Sequence, residues 1–204
     1  MKPDEIERSS FQIIDQEAGT HHFTGQQWSI VRRMIHTTAD FEFKEMVRFH
    51  PHAVSAGIEA IRNGKMIITD TNMARVGIRK KEYEQFGGQV KCYINDPLIH
   101  EKAAATGGTR AKVAVDMAVS EMKDGIYVVG NAPTALLRLI ELVCEKKAHP
   151  ALIIGFPVGF VNAAESKAAL LELDYPYISN VGRKGGSNIA ASVVNALAIL
   201  AGEA

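Results

Sequence analysis

Two kinds of apolar pattern follow one another along this chain. From Thr24 the spacing is helical, with Trp28, Val31, Met34 and Ile35 on one side. Thr24-Gly25-Gln26-Gln27 is a capping-box pattern, with Gln27 three residues after the cap, so a helix is predicted to start there. His36 follows, at or near its C-terminal end. Upstream, Pro3 suits a first helical turn, and Ile6, Phe11, Ile13 and Ile14 can supply an apolar side. Further on, short unbroken apolar runs take over. Residues 65–70 (KMIITD), 89–94 (QVKCYI), 126–130 (IYVVG) and 152–156 (LIIGF) read as buried strands. Helices are expected between or after them, over about 52–63, 98–105, 109–122, 132–147, 163–173 and 187–201.

Short apolar strands alternating with helices predict an α/β protein with a mostly parallel sheet covered on both faces. No internal repeat or linker interrupts the chain, so one domain is expected over residues 1–204. The pattern leaves strand order open. Open α/β sheets bind ligands beyond the carboxyl ends of their strands. The residues there are Asp70-Thr71-Asn72, Asn95-Asp96, Gly130 to Thr134 and Pro157-Val158-Gly159. Their small and polar character fits a binding rim, and it fits ordinary loop and capping chemistry equally well.

Composition narrows the classes. With 47% apolar and 23% charged residues the chain is an ordinary globular protein. Lys plus Arg and Asp plus Glu both number 23, so the basic excess of a nucleic-acid or membrane-surface binder is missing. Cys92 and Cys144 lie in apolar runs and are expected to be buried thiols rather than a disulfide or zinc site. The opening MKPDEIERSS has no apolar core of a signal peptide, and no apolar stretch reaches spanning length, so a cytoplasmic protein is expected.

Candidate chemistry centres on His36. A helix C-terminus favours an imidazolium, which suits a proton donor; a surface or C-capping histidine would sit in the same place. His21-His22 and His50-x-His52 lack a second pair at metal-ligand spacing, and no metal is expected. Arg32-Arg33, Arg110 after a Thr-Gly-Gly-Thr turn, and Arg183-Lys184 before Gly185-Gly186-Ser187 could anchor anions together with helix N-termini. No Walker loop, dinucleotide fingerprint, nucleophile elbow or cysteine nucleophile motif is present.

Six longer stretches carry more information than any of these motifs. They are IERSSFQII (6–14), VRRMIHTTADFEF (31–43), ITDTNMARVGI (68–78), VVGNAPTALLRL (128–139), ALIIGFPVGFVNAAESKAAL (151–170) and GRKGGSNIAASVVNAL (182–197). In them the chain closely resembles the precorrin-8X and cobalt-precorrin-8 methylmutases of cobalamin biosynthesis. The resemblance implies a three-layer α/β/α sandwich of Rossmann-like type and a homodimer with no cofactor of its own. It implies an isomerase that moves a methyl group from C11 to C12 of a corrinoid, giving hydrogenobyrinate or its cobalt counterpart. His36 is then the catalytic residue, a proton donor that protonates or hydrogen-bonds a ring nitrogen near the migrating methyl. The implied substrate contacts are Ser10, Arg33, Thr69, Asp70, Arg110, Asn131, Pro133, Thr134, Gly185 and Gly186. The partners are the corrinoid substrate and product, with no nucleic acid and no membrane. A rearrangement within one molecule needs a held substrate and one placed proton donor, and no nucleophile. Two other classes stay open on the residues alone: a non-catalytic tetrapyrrole carrier, and an isomerase of a smaller phosphorylated or carboxylated metabolite.

Overall fold

The computed structural model describes residues 2–203. Four strands fall where the apolar runs predict them: β2 (Ile67–Thr69), β3 (Val90–Lys91), β4 (Ile126–Val129) and β5 (Leu152–Gly155). Two more, β1 (Val47–Phe49) and β6 (Tyr177–Asn180), lie outside the expected set. The six form one sheet in the order β1-β6-β5-β4-β2-β3. β1 runs antiparallel to β6, and the other pairings are parallel. β3 is only two residues long because the chain turns away after Lys91.

Helices cover both faces. α1 (Pro3–Ala18), α2 (Gly25–Thr38), α4 (Ala53–Arg62), α5 (Asn72–Gly77) and the long α11 (Ser187–Gly202) build one layer. α7 (Pro97–Thr106), α8 (Arg110–Ala118), α9 (Pro133–Cys144) and α10 (Ala163–Leu171) build the other. The short α3 (Phe43–Met46) and α6 (Lys80–Glu84) complete the set. Alternate residues of β4 face opposite layers: Ile126 and Val128 join the first core, Tyr127 and Val129 the second. The three-layer sandwich expected from the sequence is the fold observed.

α11 is the centre of its layer. Thirteen of its residues are buried, and it packs on α2, α4 and α5 as well as against the sheet. Its alanines keep neighbouring backbones close. α8 ends at Ala118, four residues before the expected limit. The cysteines differ from expectation: Cys92 is half-buried and Cys144 is exposed. Cys144 is the last residue of α9, where the apolar stripe has already turned past the sheet.

Sequence order and sheet order together locate the switch point. From β2 the chain goes to β3 on one side, then crosses to β4 on the other side and continues outward to β5 and β6. The crevice expected to receive a ligand therefore opens between the carboxyl ends of β2 and β4.

Candidate active site

That crevice is filled by the protein itself. Asp70, at the end of β2, is 2% exposed. Its carboxylate accepts hydrogen bonds from the backbone N–H groups of Gly130, Asn131 and Ala132 beyond β4, each at 2.8 Å. Burial pushes the Asp70 carboxyl above its ordinary value, while the three N–H groups pull it back down. All three partners are donors, so the loop is built around the ionised form. The hydroxyl of Thr69 donates to the Thr71 carbonyl at 2.9 Å and is also buried. Thr71 caps α5 and shares a 2.8 Å hydrogen bond with Ser187, the first residue of α11. A Cβ on Gly130 would lie 2.6 Å from Ser187 Cα. Only glycine lets α11 close over the switch point so tightly. Asp70 and Thr69 therefore hold the loops of the crevice, and their side chains are withdrawn from direct ligand contact.

The open surface lies to the side, at the end of α2. Thr24 and Gln27 form the predicted capping box. The helix ends at Thr38, with Ala39 in the left-handed conformation (φ 52°). His36 sits in the last turn and is exposed. Its ring meets the Phe11 ring edge-on, with centroids 5.2 Å apart. Among the described residues nothing hydrogen-bonds to its nitrogens. It lines a groove of about 460 Å³ between α1 and α2, with Ser10, Ile13, Glu17 and Phe41. Ser10 and His36 are thus brought together, on facing helices.

Arg33, one turn before His36, is not in that groove. It is 8% exposed, and its guanidinium bonds to Glu7 on α1 at 3.0 Å. Burial pushes Glu7 up, but the pairing with Arg33, helped by Arg79 and His36, outweighs it and holds the carboxyl below its usual value. Arg33 also lies near Phe11, 5.2 Å from the ring centre, with Arg32 at 4.5 Å. This cluster clamps α1 to α2 beneath His36.

A second hollow, of about 380 Å³, is lined by the residues that alternate with those of the first past the end of α2. Thr37 and Thr38 form one wall, and Lys184 and Gly185 the other. Lys184 reaches across to Asp40 at 2.5 Å and Glu42 at 3.0 Å, just past the end of α2. Its hydrogen bond holds the Asp40 carboxyl below the ordinary value. On the other side the carbonyl of Lys184 accepts from Lys167 at 2.5 Å. Lys167 is a fully buried lysine on α10, and burial pulls its ammonium down to about 8. The glycine loop is thus fixed from both layers. Nothing in the sequence marks Lys167, since a lysine on a helix ordinarily faces water.

Gly185 is packed against β5: a Cβ there would meet the carbonyl oxygens of Phe156 and Pro157 at 2.4 and 2.6 Å. Gly186 has φ 137° and donates its N–H to Phe156 at 2.9 Å. Gly185→Ala is expected to cost about 1–3 kcal/mol through overpacking, lowering Tm by about 2–4 °C per kcal/mol in a chain of this size. Thermal unfolding of the variant measures it, and an unchanged Tm would show that the loop is not tightly seated.

The remaining predicted contacts gather at the starts of α8 and α9. Thr134 shares a 2.9 Å hydrogen bond with Thr109, the cap of α8. Arg110 is exposed and bonds to His100 at 3.1 Å. Pro133 opens α9, and the Asn131 side chain beside it is exposed. This group belongs to the layer opposite His36, so only a ligand spanning the carboxyl edge of the sheet would touch both. The other histidines have local tasks: His21 stacks on Trp28 with centroids 4.1 Å apart, and His50 bonds to Asp174 at 3.1 Å. Among the described residues no cluster of three or more His, Cys, Asp or Glu could hold a metal, and no helix is long and apolar enough to cross a membrane.

The family profile for precorrin-8X methylmutase matches residues 5–200. The cobalt-precorrin-8 methylmutase of Priestia megaterium is 48% identical over 201 residues, covering 98% of this chain and 89% of that protein. The cobalt-precorrin-8 methylmutase of Leptospira interrogans is 43% identical over 203 residues, covering 96% and 92%. The crystal structure of the precorrin-8X methylmutase of Thermus thermophilus superposes with a TM-score of 0.91 at 45% identity, covering 97% of this chain and 96% of that one.

Proposed function

The chain belongs to the precorrin-8X methylmutase family, isomerases of cobalamin biosynthesis, and from that we propose that it moves a methyl group from C11 to C12 of a corrinoid with His36 as proton donor. The observation that carries this reading is the place of His36. It stands exposed at the mouth of a groove, on a clamped helix end, with both ring nitrogens open to a ligand. An imidazole exchanges its proton near neutral pH. It gives that proton to the conjugated ring system, to a ring nitrogen where no cobalt occupies it and to a conjugated carbon where cobalt does; the conjugation of the ring changes, and the C11–methyl bond breaks as the C12–methyl bond forms. The proton then returns. No group of the protein becomes covalently attached, so the protein's work is holding and protonation.

The carboxylate arms of the substrate need dispersed anchors. Ser10 shares the groove with His36, and the Gly185-Gly186 loop shares the adjoining hollow with Thr37. Arg110, Asn131, Pro133 and Thr134 extend the set beyond β4. Arg33, Thr69 and Asp70 enter through the segments they fix. On this reading the enzyme works in the cytoplasm as a homodimer, with no metal or organic cofactor of its own. The names of the two relatives favour the cobalt-bearing substrate.

The test is a turnover assay that follows the absorption spectrum with cobalt-bearing and with metal-free substrate. The expected result is a spectral shift at enzymatic rates, faster with the cobalt form. Tight binding without a shift would leave a carrier of the same pathway.

A further inference from the structure

Two loops leave the carboxyl edge beside the glycine loop. One runs from Pro157 to Asn162 and carries the most exposed large apolar side chains of the described residues, Phe160 at 83% and Val161 at 77%. The other runs from Val181 to Lys184. Gly159 donates its N–H to the Arg183 carbonyl at 3.3 Å, tying the loops together. The Arg183 guanidinium stands 5.6 Å from the Phe160 ring centre and makes no ion pair among the described residues. Val158, from the same tip, lines the hollow that Thr37 and Gly185 also line. An exposed apolar pair with a free cation therefore continues the wall that starts at the His36 helix.

Bare apolar side chains of this size cost solvation until something covers them. A covering group must be apolar over its face and anionic at its margin, because Arg183 lies at the edge of the patch. A macrocycle bearing carboxylate arms has both properties at once, and the patch is continuous with the hollow proposed to hold it.

We propose that Phe160, Val161 and Arg183 form a further substrate subsite, with the two apolar side chains against the face of the macrocycle and the guanidinium on one carboxylate arm. This rests on the functional reading above. It makes the 157–162 loop a determinant of substrate affinity, with the proton chemistry left to His36.

The subsite is tested with Phe160→Ser/Val161→Ser and with Arg183→Gln. All three positions are exposed, so folding is little affected. Steady-state kinetics with cobalt-precorrin-8 and sedimentation of each variant are measured together. The double variant is expected to raise KM about tenfold, as for losing the burial of one large apolar group, with kcat little changed. Arg183→Gln is expected to raise KM at low salt, with the gap to the unmodified protein narrowing as salt screens the pair. An unchanged KM in either variant overturns the subsite. So does a changed sedimenting mass without a changed KM, which would give the patch to a second copy. If the unmodified protein shows no turnover, the functional reading fails, and that result is separate from either variant's.

Discussion

His36→Ala is expected to lower kcat by about a thousandfold, the middle of the range for losing a positioned general acid, while leaving substrate affinity and thermal stability close to their starting values. The structure gives reasons for all three parts. Rate falls because, among the described residues that line the groove, His36 is the one imidazole and the one nitrogen acid able to donate to the ligand. Affinity survives because the proposed anchors lie on other elements. Stability survives because the ring is exposed, and its edge contact with Phe11 is a pair worth only about 0.5–1.5 kcal/mol. Single-turnover absorbance, product titration and a melting curve read the three quantities. A variant that keeps its kcat removes His36 from the chemistry. His36→Gln divides the role further: it keeps a hydrogen-bond donor without an acidic proton, so partial rescue would favour hydrogen bonding over protonation.

Asp70→Asn is expected to have the largest effect on stability. The carboxylate satisfies three backbone donors with two oxygens. An amide brings one oxygen and one NH2 group, so at least one buried N–H is left facing another donor. Such a loss costs about 1–3 kcal/mol per unsatisfied group, more for groups bonded to a charge. A drop in Tm of roughly 2–4 °C per kcal/mol follows. Because the same bonds set the path of residues 130–132, the variant should also raise KM while sparing the kcat of the folded fraction. Full stability in Asp70→Asn would mean that the loop holds its path without the charge.

Asp70 also shows where reading a sequence stops. A carboxylate after a strand looks the same whether it faces a ligand or the backbone of a loop sixty residues away. Only the parallel pairing of β2 with β4 decides between them. The α2 helix, by contrast, was legible to its first residue, because the capping box and the apolar spacing are both local signals. Strand β6 was hidden because Ser179 and Asn180 break its apolar run. Both are buried and satisfied internally, Ser179 by the Gly155 carbonyl and Asn180 by the Lys184 carbonyl. Strand β1 is three residues at an edge, too short to show a period. The grouping of Ser10 with His36 depends on how α1 lies across α2, which no spacing within either helix records. The proposed reaction rests on the likeness of long stretches, since isolated glycine turns and arginines fit many ligands.

The burial of α11 bears on how the chain acquires its shape during synthesis. The faces of α2, α4 and α5 that close on it are made first. Until residues 187–202 have cleared the ribosome, those helices lack their main packing partner, and the apolar sides that face it remain open to water or to a chaperone. Chains are extended at about 5–20 residues per second, so the exposed interval lasts seconds. A stall anywhere before Ser187 would leave a chain with strands and helices in order of synthesis but without the helix on which α2, α4 and α5 converge.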